Sequence, residues 1–298
     1  MPELPEVETL RIQLNQYLLG LTIRKVEILK VKSFKGEGKQ VIGAKIVRVQ
    51  RFGKMLVLVL DSNFSLVIHL KLTGQLIYRG ERQPAKIEVV DPMLFTLPNK
   101  HTRVIVYFTS GDKLFFNDMR IFGWMKIVKS QISNLKSQNL SLKLKISDVN
   151  DLVENLGPEP FAIDGKEFYR IIHESSRPIK IVLMDQEKIS GVGNIYANDA
   201  LFLSGIHPKT PASNLSSDEA IKLHKNLVKI LKDAIRWRGA SEQHFRDALG
   251  QMGEVQKHFY VYQKDGENCP NGCGEKIERM KLGGRGTFFC PKCQKYSN

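Results

Sequence analysis

The chain has 298 residues, too long for one average domain and long enough for two cores with a small appended module. Lys and Arg total 45 against 31 Asp and Glu, a formal charge of +14, which favours a polyanionic partner such as nucleic acid or an anionic membrane face. No stretch approaches the roughly 18 uninterrupted apolar residues of a membrane span, and residues 1–6 lack the basic-then-apolar pattern of a signal peptide; a soluble, cytoplasmic protein is expected.

Over residues 5–18 the apolar positions Val7, Leu10, Leu14, Tyr17 and Leu18 recur at three- and four-residue steps, with Pro5, Glu6 and Glu8 in the first turn, which predicts an amphipathic helix. After Gly20 the pattern changes. Runs over 23–29, 44–50, 55–60, 65–78 and 86–97, and two more joined by Ser110-Gly111-Asp112, are rich in Val, Ile, Leu and Phe and predict an antiparallel β-sandwich or barrel. Residues 129–154 are a polar mixture ending at Gly157-Pro158-Glu159-Pro160, which reads as a linker with a boundary near 155. Helical periodicity returns over 166–174, 179–186, 195–203 and 216–237, the last opening on the capping box Ser216-Ser217-Asp218-Glu219. The expected organisation is an α+β chain: a helix-plus-sandwich domain over 1–128, a linker over 129–160, a mainly helical domain over 161–262 and a terminal module over 263–298.

The four cysteines, Cys269, Cys273, Cys290 and Cys293, all lie in that module as two close pairs separated by a loop. Soft ligands in this pattern predict one structural, tetrahedral zinc ion in a reducing compartment, against a redox pair or plain buried thiols. The loop between the pairs carries Gly283-Gly284-Arg285-Gly286-Thr287, so a metal-clamped hairpin would present Arg285 on glycine-loosened backbone; a solvated turn is the plainer reading. Gly191-Val192-Gly193-Asn194 precedes the helix near Ile195 and would place free amides and an asparagine at a helix N-terminus, a phosphate site or an ordinary cap.

These pieces occur in order with Met1-Pro2-Glu3-Leu4-Pro5-Glu6-Val7-Glu8-Thr9, Arg51-Phe52-Gly53-Lys54, residues 117–123 and Gly191-Val192-Gly193-Asn194-Ile195-Tyr196-Ala197-Asn198. Taken together the chain resembles the formamidopyrimidine-DNA glycosylase family from end to end. The resemblance implies a helix-two-turn-helix DNA-binding domain over 161–262 and a zinc finger over 263–298. It also implies a monomeric base-excision-repair enzyme on double-stranded DNA containing a damaged base. Pro2, its amine freed by removal of Met1, would be the nucleophile and Glu3 the acid and base, with Glu6 supporting them. Lys54 would contact phosphate near the lesion and assist proton transfer, and His69 would touch the backbone phosphate. Asn194 and Arg285 would pinch phosphates either side of the flipped nucleotide, while Leu72, Arg120 and Phe122 would fill the gap it leaves. Leu72 stands where the family commonly has methionine, and Met119 and Ile121 also depart from the commonest neighbours. A lesion-reading loop is expected within 238–257. Oxidised or ring-opened purines, chiefly 8-oxoguanine and formamidopyrimidines, are the implied substrates, with excision followed by β,δ-elimination. A pyrimidine-lesion glycosylase of the endonuclease VIII type and a non-catalytic zinc-containing DNA-binding protein are the alternatives.

Overall fold

The computed structural model describes residues 1–87, 89, 91–130, 153–241 and 244–296. It divides into two compact units. One comprises Met1–Glu154 with Trp237–Glu254, the other Asn155–Arg236 with Val255–Asn298. The segment Trp237–Glu254 lies inside the 161–262 stretch of the sequence reading yet groups with the first unit. Most of the 129–160 linker, and nearly all of the polar insertion over 130–150, lies outside the described residues.

The first unit opens with helix α1, Leu4–Leu18, which buries Val7, Leu10, Leu14, Tyr17 and Leu18. Its start is a capping box: the Glu3 backbone amide donates to Glu6 Oε2 at 2.7 Å, satisfying one of the donors a helix N-terminus leaves over. Two sheets follow. The first contains β1 (Ile23–Ile28), β6 (Gly74–Arg79), β7 (Thr102–Phe108) and β8 (Lys113–Asp118) in the antiparallel order β1-β7-β8-β6. The second contains β2 (Phe34–Lys35), β3 (Ile46–Phe52), β4 (Met55–Leu60), β5 (Phe64–His69) and β9 (Trp124–Lys129) in the order β2-β9-β5-β4-β3, with only the β2–β9 pair parallel. One core joins them. Leu76, Val104, Val106 and Phe116 of the first sheet cluster with Leu56, Leu58, Ile68 and Met125 of the second and with Leu10 and Leu14 of α1, which makes a β-sandwich capped by a helix. Every residue of β4 is buried, as expected of a central strand read as one apolar run.

Two expectations need correction. The 65–78 run is two strands in different sheets, broken after His69 by a tight turn in which Lys71 adopts φ 53° and the Gly74 amide donates to the Leu70 carbonyl at 3.0 Å. The apolar flanks hid this turn, because Gly74 marks it through backbone proximity alone: a Cβ there would sit 2.5 Å from the Leu70 oxygen. The 86–97 run contains no strand among the described residues. Pro92 opens a short 3₁₀ turn with Asp91 as its cap, and Val89, Leu94 and Leu97 instead pack on Ile77, Ile105 and Phe115, the outer face of the first sheet.

The second unit is helical. Helix α2 (Gly165–His173) is capped by Asp164, whose carboxylate accepts from the Glu167 amide at 2.8 Å. It is followed by α3 (Ile179–Met184), α4 (Asn194–Ser204), closed by Gly205 at φ 74°, and α5 (Ser217–Arg236). The chain ends in the hairpin β10 (Glu278–Leu282) and β11 (Arg285–Phe289), whose two-residue turn, Gly283-Gly284, has φ 56° and 75°. Phe202, Val261, Ile277, Phe288, Cys269 and Cys290 form its core.

Candidate nucleic-acid interface and active site

Pro2 and Glu3 are buried at the start of α1, beside a half-exposed Met1; Glu3 is 2% exposed. Glu6 holds this end from below. One of its oxygens accepts the Glu3 amide and the other accepts the Ala240 amide at 2.7 Å, so a single carboxylate links the chain start to the Trp237–Glu254 segment. Gly239 packs so closely on Glu6 that a Cβ would lie 2.9 Å from its Cγ. Gln13 adds two more ties from α1, donating to Asp247 Oδ2 and accepting from the Ala248 amide, each at 2.9 Å. At its neck the segment closes on itself: the Glu254 amide donates to the Trp237 carbonyl at 2.8 Å and the Gly253 amide to Ser241 Oγ at 2.8 Å.

Lys54 sits in the two-residue turn joining β3 to β4, after Gly53 at φ 53°, the positive first position of a type II′ turn. Arg51 anchors this turn by donating to the Gly53 carbonyl at 3.0 Å while pairing with Glu8 at 2.8 Å. Burial alone would raise the Glu8 carboxyl, but hydrogen bonds from Arg11 and Arg51 outweigh it and hold the group below the usual carboxylate range. His69 closes β5, in register with Met55 and Trp124. Burial, reinforced by the charges of Lys71 and Lys54, pulls its imidazole down to about 3, so the ring is neutral at pH 7. Its Nδ1 accepts from the Lys71 amide at 3.0 Å, which puts the proton on Nε2 and leaves that nitrogen a donor.

The turns after β5 and β8 are tied together by Asp118. Its carboxylate accepts from Thr73 Oγ1, from the Arg120 amide at 3.2 Å and from the Gly123 amide at 2.7 Å. Thr73 Oγ1 also accepts from the Arg120 amide at 3.1 Å. This shape needs Ile121 at φ 56° and leaves Gly123 no room for a side chain, since a Cβ would approach the His69 and Leu70 carbonyls at 3.0 Å. The result is one end of the sandwich carrying a half-buried Leu72 and an exposed pair, Arg120 stacked 4.8 Å over the Phe122 ring, with Phe122 47% exposed. A large apolar side chain held in water on a rigid turn is suited to stacking between bases.

In the second unit Asn194 begins α4 and donates from Nδ2 to the Gly286 carbonyl at 3.1 Å, which brings it beside the hairpin that carries Arg285. The fully buried Lys180 reaches the same backbone, donating to the Gly286 carbonyl at 3.0 Å and to Thr287 Oγ1 at 2.6 Å. Gln186 supports the Gly191-Val192-Gly193 turn from both ends of its amide. Asp199 accepts three successive amides, Tyr260, Val261 and Tyr262, at 3.0–3.1 Å; burial pushes its carboxyl up to about 6 against those bonds. The four cysteine sulfurs lie within 4.8 Å of one another, with Cys269 to Cys293 at 3.7 Å and Cys273 to Cys290 at 3.5 Å. Four thiolates about 2.3 Å from one tetrahedral zinc stand roughly 3.8 Å apart, so the donor set fits the ion.

Asp118, Lys180, Gln186 and Asp199 carry no role in the sequence analysis, and Glu8 and Arg51 appear there only within a helix start and a motif, without their pairing. Lys180 had a legible signal, a lone charge within the apolar run Ile179-Lys180-Ile181-Val182-Leu183. The others look like ordinary surface polar residues until their partners are known.

Three family models match in succession: the formamidopyrimidine-DNA glycosylase N-terminal domain over residues 1–125, the formamidopyrimidine-DNA glycosylase H2TH domain over 156–246, and the zinc finger found in FPG and IleRS over 266–295. Among curated relatives, the formamidopyrimidine-DNA glycosylase of Desulfitobacterium hafniense is 34% identical over 99% of this chain and 100% of its own length. That of Prochlorococcus marinus strain NATL2A is 39% identical with the same coverage. Among solved structures, the MutM (Fpg) protein of Thermus thermophilus superposes with a TM-score of 0.81 at 35% identity over the whole of both chains. Lactococcus lactis Fpg in complex with DNA containing an abasic site gives 0.81 at 30% identity, covering 98% of this chain and 99% of that one.

Proposed function

The chain belongs to the formamidopyrimidine-DNA glycosylase family, and from that premise we propose that it is a bifunctional DNA glycosylase and AP lyase of base excision repair. In this reading it removes oxidised or ring-opened purines from duplex DNA, acting as a monomer in the cytoplasm on the chromosome. The substrate class is supported by relatives named for it and by a Lactococcus lactis Fpg variant solved with DNA containing Fapy-dG. Among the described residues no helix is long and apolar enough to cross a membrane.

The observation that carries the chemistry is the seating of Pro2 and Glu3 at a capped helix start, buried and fixed through Glu6. Removal of Met1 makes Pro2 a secondary amine. Its nitrogen attacks C1′ of the damaged nucleoside and the C1′–base bond breaks, the base leaving with the electron pair and taking up the proton the amine sheds, while Glu3 delivers a proton to the sugar ring oxygen as the ring opens. General acid help of this kind contributes about 10² to 10⁴ in rate. Nitrogen then holds C1′ as an iminium cation, a Schiff base whose positive charge acidifies the C2′ protons. Loss of one expels the 3′ phosphate, and a second elimination expels the 5′ phosphate. Lys54 and the Nε2–H of neutral His69 donate to the phosphates flanking the sugar. In the second unit Asn194 and Arg285 hold phosphate oxygens, with Lys180 fixing the backbone that presents them. Leu72, Arg120 and Phe122 fill the stack vacated by the flipped nucleotide, offsetting the few kcal/mol of unstacking. Cys269, Cys273, Cys290 and Cys293 hold the structural zinc, whose contribution is to clamp the finger.

The test is borohydride trapping of Met1-processed protein on a duplex with one 8-oxoguanine opposite cytosine, beside Pro2→Gly and Glu3→Gln. A lesion-dependent covalent adduct that is lost or greatly reduced in the variants is expected. An adduct with thymine glycol alone would move the protein to the pyrimidine branch, and none with either lesion would leave a non-catalytic DNA-binding scaffold.

A further inference from the structure

The connection between β6 and β7, residues 80–101, takes no part in the chemistry above, yet it walls one side of the Trp237–Glu254 segment. β6 is an edge strand, and part of its edge is covered by this segment rather than left to water: the Tyr78 amide donates to the Ala248 carbonyl at 2.7 Å. From the same strand Arg79 donates to the Leu249 carbonyl at 3.0 Å and Gln75 to the His244 carbonyl at 2.6 Å. The opposite wall is the connection itself. Asp91 uses one oxygen to cap the Pro92–Leu94 turn, accepting from the Met93 amide at 3.1 Å, and sets the other 3.2 Å from Arg246 Nη2. The two side chains are 8% and 11% exposed. Leu94 lies directly over Gly250, where an added Cβ would meet it at 3.1 Å.

We propose that Asp91 and Arg246 are positioning residues that set the specificity for base removal. Their ion pair locks residues 244–250 between β6 and the β6–β7 connection. The same segment is tied at its other end to Glu6, so the lock fixes the shape of the backbone that meets a base delivered to Pro2 and Glu3. The inference rests on the reading of the Trp237–Glu254 segment as the base-facing loop of the proposed glycosylase. A largely desolvated ion pair is suited to holding geometry, because breaking it leaves one charge buried without compensation. An abasic sugar presents no base, so strand cutting at such a site does not draw on the lock.

The experiment compares unaltered protein with Asp91→Asn, Arg246→Gln and the charge-reversed double variant Asp91→Arg with Arg246→Asp. Single-turnover excision of 8-oxoguanine and cutting of a preformed abasic duplex are measured, with melting temperature recorded beside them. Excision should fall about 10- to 100-fold in each single variant, the scale of a small misplacement of a reacting group. Abasic cutting should be retained, and the reversed pair, which restores opposite charges but not the Asp91 cap, should excise faster than either single variant. Equal losses on both substrates, or unimpaired excision in the single variants, would overturn the proposal. Unaltered protein that processes neither duplex would overturn the proposed function and this inference together.

Discussion

Acidification offers a direct test of the environment built around His69. The imidazole is drawn down to about 3 by burial and by the charges of Lys71 and Lys54, while in the unfolded chain it titrates near 6.5. The sign follows from this depression: the unfolded state takes up the proton first, so the stability His69 contributes is complete above pH 6.5 and is lost as pH falls toward 3. Between pH 7.5 and 4.5 the ceiling on that loss is about 3 kcal/mol. Partial solvent access to the end of β5 lowers the expected figure to roughly 1–2 kcal/mol. His69→Gln keeps an acceptor for the Lys71 amide and removes the titration. Urea unfolding of wild type and His69→Gln at pH 7.5, 5.5 and 4.5 should therefore show the wild type losing more stability, with the gap widening toward low pH. Other acid-labile pairs, such as Glu8 with Arg51, are common to both proteins and cancel in the difference. Parallel pH dependence in the two proteins, or an imidazole proton signal titrating near 6.5 in the folded state, would refute the argument and with it the assignment of a neutral donor at Nε2.

Because His69 is neutral it releases no counterion, so His69→Gln should weaken DNA binding without changing the slope of log affinity against log salt, whereas Arg285→Ala should lower that slope by about one. Equal slopes for wild type and Arg285→Ala would show that this arginine does not meet phosphate. Gly253→Ala places a Cβ 2.0 Å from the Gly239 carbonyl and should open the neck of the Trp237–Glu254 segment, costing about 1–3 kcal/mol and abolishing excision of intact lesions; a fully active variant would contradict the packing. Purified protein should contain one zinc per chain by elemental analysis, and a strong chelator should release it together with most DNA affinity. Metal-free protein that binds DNA normally with all four cysteines replaced by serine would remove the finger from the interface.

What could be read in advance was whatever repeats within a few residues. The three- and four-step spacing of Val7, Leu10, Leu14 and Leu18 is the buried face of α1, and the apolar run over 55–60 is a strand buried along its whole length. Cys269, Cys273, Cys290 and Cys293 converge as their pairing suggested. The misses share a cause. Thr73-Gly74 reads as strand interior because its partner is Asp118, 45 positions away, and the 86–97 run carries the composition of a strand while Pro92 and the Asp91 cap make it a covering loop. The site behaves likewise: the ends of α1 and of the glycine turns are visible, but Glu6 bonds an amide 234 positions distant, a pairing that no local pattern encodes.

The assignment of Trp237–Glu254 to the first unit also bears on how the protein is made. Phe245, Ala248 and Leu249 belong to the same core as Leu10, Leu14 and Tyr78. A ribosome finishes the main stretch of that unit at residue 154 and supplies these three side chains only after roughly 100 further residues, which takes about 5 to 20 s at ordinary elongation rates. During that interval the nascent sandwich carries an uncovered patch and an open β6 edge, and a ribosome stalled in the second unit would display both to chaperones and proteases. The last residues needed to close the first unit arrive just before the finger, so its completion and that of the zinc module fall close together in synthesis.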